Sequence, residues 1–256
     1  MMLVNTILTY ERRKKRLYRL VWVFSILTVS AFFFSFLLSN LLTVKQQRSV
    51  LYQEKLKAGR IILNQVVNDA SMPMAQDDTL GLNSLLKDAL VAHLEQNQEE
   101  VALRDLYELG FNPVLSLEDM AGQRNGLVAD DVKREQEFIV WADCLTFIHP
   151  IWWTGLPAMM KGYIDRVFSY GFAYRYDNGV QKGLLTGKQA IIINTHGKSN
   201  SEYEAIGMNA ALSLTSDRGI YSYCGLAIQK HFFFDRADRP SPESVEIWKT
   251  QILSSY

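Results

Sequence analysis

Cysteine is scarce in this 256-residue chain: only Cys144 and Cys224 occur, each in an apolar, strand-like context with no CxxC pattern and no histidine at ligand spacing. Neither a disulfide framework nor a zinc site is suggested, and both side chains read as buried thiols. Net charge is lacking too, with 27 Lys+Arg against 27 Asp+Glu, which argues against a nucleic-acid partner held by bulk charge. Internal repeats and low-complexity tracts are absent, so nothing points to a repeat architecture. What remains is a chain with 48% hydrophobic residues, enough to bury one sizeable core and carry an appendage.

Charge is also missing locally. From Leu20 to Val44 there is no charged residue, and Leu, Phe, Val and Ile dominate. A run of that length reads as one transmembrane helix. It is too long for a secretory signal and no small-x-small cleavage site closes it. The tight cluster Arg12-Arg13-Lys14-Lys15-Arg16 with Arg19 favours a cytoplasmic N-terminus. Lys45, Arg48, Lys55, Lys57 and Arg60 follow the span, however, so the side of the membrane on which the remainder lies stays open. Residues 1–60 are therefore expected to be an anchor and stalk, and residues 61–256 a separate domain.

After the span, Leu51, Leu56, Leu63 and Val67 are spaced as on a helix continuing from Gln46 to about Val67. The same stretch holds the only candidate for a first buried strand, Ile61 to Val67, interrupted by Asn64 and Gln65 where a doubly buried strand should be apolar. From Leu85 onward the pattern is regular. Leu86 to His93 reads as the end of a helix, Val101 to Arg104 as a strand and Asp130 to Trp141 as a helix. Cys144 to Ile148 is a strand and Ala158 to Tyr170 a helix. Gln189 to Thr195 is a strand, Glu204 to Thr215 a helix, Leu226 to Phe234 a strand, and Ser241 to Leu253 a helix. Strands alternating with helices imply an α/β fold with a parallel sheet, and Asp177-Asn178-Gly179 marks a turn.

The most informative segment joins a buried strand, an aromatic loop and a helix: Cys144 to Ile148, then Pro150-Ile151-Trp152-Trp153-Thr154-Gly155, then the helix after Pro157. Ligands of open α/β sheets sit beyond the carboxyl ends of strands. A tryptophan pair alone would read as core or dimer-interface packing, but its neighbours are distinctive. Ala142-Asp143, His149 to Trp153, Lys161-Gly162, Asp165-Arg166-Val167-Phe168 and Gly171-Phe172-Ala173-Tyr174 follow in an order that resembles the flavodoxin-like NAD(P)H:quinone oxidoreductases. That group includes DT-diaphorase, modulator of drug activity and the ancillary reductases of potassium-efflux systems. The resemblance runs from about Leu86 to near the C-terminus. It implies a doubly wound five-stranded parallel sheet of order 2-1-3-4-5, a flavin cofactor (FMN, with FAD an option), NAD(P)H as reductant, a quinone substrate and a homodimer.

The resemblance also assigns residues. Backbone and one aromatic of the first loop would bind the flavin, which maps onto Pro150, Ile151, Trp152, Trp153 and Thr154; many relatives have Gln where Trp152 stands. The second loop runs from Asn194 to Tyr203. Relatives usually show Thr-Thr-Gly-Gly there, which Thr195 and Gly197 match, while His196 and Lys198 depart from it. Its backbone donors and the Tyr203 phenol, the family's catalytic tyrosine by position, would stabilise charge on the reduced ring. Asn209 stands where some members carry a histidine, so proton delivery would rely on solvent. His93 and His231 lie outside both loops and read as surface or packing residues.

The phosphate loop matches only in part. Asn83 aligns with the family's asparagine, Gly81 replaces its serine, and Asp77 and Asp78 would repel a phosphate. Two readings follow. Either residues 61–87 form a divergent first strand and phosphate loop, or an anchor resembling the start of a bacterial membrane sensor, Met1 to about Leu85, joins a reductase that lacks its first strand. The expected function is a membrane-tethered flavoprotein reducing quinones, with the reductase domain on the cytoplasmic side. The alternative is a non-enzymatic regulatory subunit of a membrane transporter or sensor.

Overall fold

The computed structural model describes residues 60–65 and 79–256. The expected transmembrane helix at 20–44 and most of the expected stalk lie outside these residues. Among the described residues no helix is long and apolar enough to cross a membrane.

A first strand is present. β1 (Arg60–Gln65) pairs in parallel with β2 (Glu100–Asp105) on one side and with β3 (Cys144–Pro150) on the other. The helical reading of Gln46 to Val67 thus fails over 60–65, as does the reading that lacks a first strand. Asn64 and Gln65 interrupt the apolar run only at its carboxyl end, where an open α/β sheet turns from core to ligand. β6 (Gln189–Thr195) and β7 (Ala227–Phe234) complete a parallel sheet of order β2-β1-β3-β6-β7. Numbered by the sheet's own strands, this is the expected order 2-1-3-4-5. β4 (Tyr174–Asp177) and β5 (Val180–Gly183) form a separate hairpin. Its turn holds Asn178 and Gly179 at φ 51° and 80°, the left-handed pair that a tight hairpin requires.

The helices are α1 (Thr79–Gln96), α2 (Leu117–Arg124), α3 (Asp130–Trp141), α4 (Ala158–Val167), α5 (Asn200–Ala205), α6 (Met208–Ser213) and α7 (Pro242–Leu253). The helices differ from the sequence reading in three places. A single helix over 204–215 does not form, because Gly207 at φ 72° separates α5 from α6. α6 then runs into a π-helix, Leu214–Ser222, a rare form that often marks a functional region. α4 stops at Val167 rather than Tyr170. α2 escaped notice: no residue of it is buried, so it lacks an apolar stripe, but Ser116 and Asp119 close a capping box at its start.

β3 and β6 are buried along their whole length, as expected of strands covered on both faces. Their side chains alternate between two cores. Leu145, Phe147 and Ile192 join Ile139 of α3, with Met160, Tyr163 and Val167 of α4. Cys144, Ile148, Ile191 and Ile193 join Leu86, Leu90 and Leu94 of α1 with Trp248 and Ile252 of α7. Helices therefore cover both faces. The Tyr256 phenol hydrogen-bonds the buried Thr146 hydroxyl, and burial pushes the Cys144 thiol up to about 12.

Close approach of backbones fixes α4. A Cβ on Gly162 would lie 2.1 Å from the Pro113 carbonyl oxygen, a distance that only glycine tolerates. Beside it, buried Arg166 donates to Asp119 Oδ2 (3.0 Å), to Asp131 Oδ2 (2.5 Å) and to the Asn112 carbonyl (2.8 Å), tying α4 to α2, α3 and the intervening loop. Burial alone would raise the Asp119 carboxyl, but hydrogen bonds from Arg166 and Ser116 hold it below its ordinary value; Arg166 does the same for Asp131.

Replacing Arg166 with leucine strips the counter-charge from Asp119, which keeps only its bonds from Ser116, and from the more exposed Asp131, so urea denaturation at pH 7 should show a loss of about 2–3 kcal/mol. Both carboxyls titrate lower in the folded chain than in the unfolded one. Their contribution is full above the ordinary value of 3.8 and fades as pH falls through the folded values. Stability measured below that value should accordingly differ less between Arg166→Leu and the parent than it does at pH 7.

Candidate functional site

Adjacent parallel strands bring their carboxyl ends together, so the loops leaving β3 and β6 start side by side: Pro150 is in register with Thr195, and Thr195 with Phe234 of β7. The Ile151 amide donates to the Thr195 carbonyl at 2.8 Å, extending the pairing one residue beyond β3.

The first loop then folds back on itself. Trp152 and Gly155 exchange amide-to-carbonyl bonds of 3.1 and 3.0 Å, and the two residues between them, Trp153 and Thr154, have φ of 49° and 59°. This turn normally takes Asn-Gly; a bulky aromatic and a β-branched residue in the left-handed region cost of order 1–3 kcal/mol each. The strain holds the Trp153 side chain fully in solvent, at 101% relative exposure, with Trp152 partly exposed beneath it. The Thr154 hydroxyl donates to the Trp153 carbonyl at 2.6 Å. Strain spent on presenting an indole to water is a mark of a binding loop.

The second loop is held by neighbours rather than by its own turns. The His196 amide donates to the Phe234 carbonyl (2.9 Å), and the His196 carbonyl accepts from the Ala237 amide (3.0 Å). Ser199 and Glu202 form a capping box at the start of α5, and the Ser199 amide and hydroxyl pull the Glu202 carboxyl down to about 2. A Cβ at Gly197 would meet only the Asp238 carboxylate, at 3.8 Å. Nothing in the fold demands glycine here, which leaves close approach of a ligand as a reason for it.

Of the residues singled out in the sequence, the fold unites most. Thr195 donates its hydroxyl to Asn83 Oδ1 (3.2 Å), linking the end of β6 to the first turns of α1 across 112 residues of sequence. Asn83 Nδ2 is buried without a partner, a donor free for a ligand acceptor. His196 is buried and its ring stacks flat on Tyr203, with centroids 4.5 Å apart and planes 4° apart. Burial lowers its affinity for a proton, and neither ring nitrogen makes a well-formed hydrogen bond, although Asn200 lies near. Asn209 Oδ1 has no hydrogen-bond partner, so it does not accept from the Tyr203 phenol. Lys198 turns outward and pairs with Glu202 at 3.4 Å. The remainder of the expected phosphate loop, including Asp77 and Asp78, lies outside the described residues.

Sequence reasoning missed a polar chain under the two loops. His231 was read as a packing residue. Instead its Nε2 lies 2.7 Å from Asn194 Oδ1 and its Nδ1 lies 2.8 Å from Asp217 Oδ1. Asn194 Nδ2 in turn donates to the His149 carbonyl at 3.1 Å. His149 sits buried with Nδ1 3.0 Å from the Pro150 carbonyl, and burial pushes its ring down to about 4, leaving it neutral near pH 7. No spacing rule could have signalled this group, since its members come from β3, β6, the π-helix and β7.

Residues 74–252 match the family model described as flavodoxin-like fold. Over 132 residues the chain is 42% identical to an uncharacterized NAD(P)H oxidoreductase of Haemophilus influenzae, a match that covers 52% of this chain and 65% of that protein. It is 27% identical over 210 residues to NAD(P)H dehydrogenase [quinone] 1 of Rattus norvegicus, covering 73% of this chain and 77% of the rat protein. The structure of an NAD(P)H:quinone oxidoreductase from Methanothermobacter marburgensis superposes with a TM-score of 0.66 at 21% identity, over 77% of this chain and 97% of that one. With the family model spanning most of the chain and the strand order agreeing, the protein belongs to the flavodoxin-like fold family.

Proposed function

We propose that this protein is an NAD(P)H:quinone oxidoreductase working through bound FMN, in which NAD(P)H, a proton and a quinone give NAD(P)⁺ and the quinol in two half-reactions at one slot. The observation that carries this reading is the strained Trp152–Gly155 turn joined by Ile151 to the β6 loop at the carboxyl edge of the sheet. Similarity to named quinone reductases supports it. The residues present fit a flavin: Asn83 offers an unpaired buried donor near the start of α1, and the β6 loop has room for close approach at Gly197. Bound there, the flavin supplies two-electron chemistry that no side chain of the chain can provide.

The chain's own residues would bind, orient and screen. Asn83, whose buried Nδ2 has no partner, would donate to the phosphate. Backbone from Pro150 to Thr154 would hold the ring, with Trp153 screening one side and Trp152 making the substrate face more apolar. Of the Thr195–Lys198 loop, the His196 amide is committed to the Phe234 carbonyl, so the amides of Gly197 and Lys198 would be the backbone donors for the ring's polar edge, and the Tyr203 hydroxyl would add a donor where negative charge develops. Tyr203 is held in place by its stack on His196. Protons would reach this edge from solvent, since the amide of Asn209 does not titrate and cannot relay them. In the same reading residues 1–60 tether domain 61–256 to the bilayer beside lipid-soluble quinones, with the reductase on the cytoplasmic side, and the working unit is a homodimer.

Purified full-length protein should bind FMN near one per chain and reduce quinones with NADH or NADPH; well-folded protein that does neither would sink the proposal. Asn83→Asp keeps the acceptor for Thr195 but replaces the free donor with charge, so FMN affinity measured by fluorescence quenching should fall by about ten-fold or more. Tyr203→Phe should lower kcat by roughly 10²-fold with little change in flavin content.

Thr154→Gly removes a β-branched residue from a left-handed position. It should raise the denaturation midpoint, by about 1 kcal/mol or more of added stability, while weakening flavin binding because the turn is no longer held in one shape. For the tether, the reductase activity should sediment with membranes and resist carbonate washing, and deletion of residues 1–45 should release it; activity wholly in the soluble fraction would refute that part.

A further inference from the structure

The polar chain under the site has a direction. Asn194 Nδ2 faces the His149 carbonyl, an acceptor only, so the amide cannot be turned round without setting two oxygens against each other. Asn194 Oδ1 therefore faces His231 Nε2 as an acceptor, at 2.7 Å. On the other side of the ring, Asp217 Oδ1 faces Nδ1 at 2.8 Å, also as an acceptor. Both ring nitrogens of His231 therefore face oxygen acceptors, and the ring bridges Asp217 and Asn194.

The remaining neighbours agree. The Ser216 hydroxyl lies 2.9 Å from the same Asp217 oxygen, the Phe233 ring stacks on His231 at 4.0 Å, the buried Tyr221 phenol lies near Asp217 with its ionisation pushed up by burial, and burial lowers the proton affinity of His149. Next to it, Asn194 Nδ2 also lies 3.2 Å from His149 Nε2, and His149 Nδ1 faces the Pro150 carbonyl. From His231 onward the donors run one way, through Asn194 to the His149 carbonyl, while the other ring nitrogen faces back to Asp217; bonds linked like this strengthen one another.

From this geometry we infer that His231, held between Asp217 and Asn194, is a positioning residue that clamps the ends of β3, β6 and β7 and thereby fixes the Pro150–Thr154 turn in its ligand-binding shape. The chain ends at the two carbonyls, of His149 and Pro150, from which the strained turn departs. A strained turn persists only if its surroundings over-determine it, and the Ile151–Thr195 bond by itself is one anchor. The clamp supplies the second. Its consequence for cofactor binding rests on the flavin reading above, whereas the clamp itself does not.

The test uses the full-length protein with and without added FMN. His231→Gln cannot span Asp217 and Asn194 with two rigidly opposed nitrogens, and Asp217→Asn, at a partly exposed carboxylate, weakens one end of the bridge with little risk to folding. Hydrogen exchange followed by mass spectrometry should show residues 151–155 exchanging at least about ten-fold faster in His231→Gln, with a smaller rise in Asp217→Asn, while α7 keeps its protection. FMN should bind about ten-fold or more weakly to His231→Gln in parallel. Parental exchange at 151–155 in both variants, or acceleration spread evenly over the sheet and α7, would overturn the clamp. If the parent protein takes up no FMN, the flavin reading falls, and the exchange measurement still decides whether the clamp exists.

Discussion

β3 and β6 lie side by side with every side chain buried, and that constraint organises the rest of the molecule. A strand covered on both faces has nowhere to hide a polar group except at its ends or in a fully paired network. The polar residues of the two strands are placed accordingly: His149, Asn194 and Thr195 occupy the carboxyl ends, Gln189 opens β6 at the amino end, and Thr146, the one polar residue in mid-strand, is met by the Tyr256 phenol. The carboxyl edge is thus where chemistry can begin. Both candidate loops leave from it.

Burial also explains why that edge is held so firmly. Three anchors converge within a few residues: the Ile151 amide on Thr195, the Thr195 hydroxyl on Asn83, and the His149 carbonyl on Asn194. Each crosses between elements distant in sequence, and each is shielded from competing water. Against this rigid base the Trp153–Thr154 turn can be kept in a conformation that its residue types disfavour. A site built on fixed strand ends with a strained tip meets the usual demand for a preorganised first layer supported by a second.

The opposite face of the sheet's core is secured in a different way. Arg166 gathers two carboxylates and a carbonyl from three separate segments, and Gly162 lets α4 lie against Pro113. These contacts hold the helix that follows the aromatic loop, so the loop is fixed at both of its ends.

The sequence by itself determined the alternation of strands and helices from residue 85 onward, the doubly buried character of 144–148 and 189–195, and the two loops that follow them, because burial on both faces demands continuous apolar runs and their ends are therefore visible. It left the first strand ambiguous, since Leu63 fits a helical spacing as well as an extended one. Only pairing with β2 and β3 on either side selected the strand. The break at Gly207, the π-helix, the stack of His196 on Tyr203 and the bridge of His231 between Asp217 and Asn194 were likewise decided in three dimensions. Each depends on a partner brought from another element, and a histidine carries no mark in one dimension of whether it will face a carboxylate or solvent.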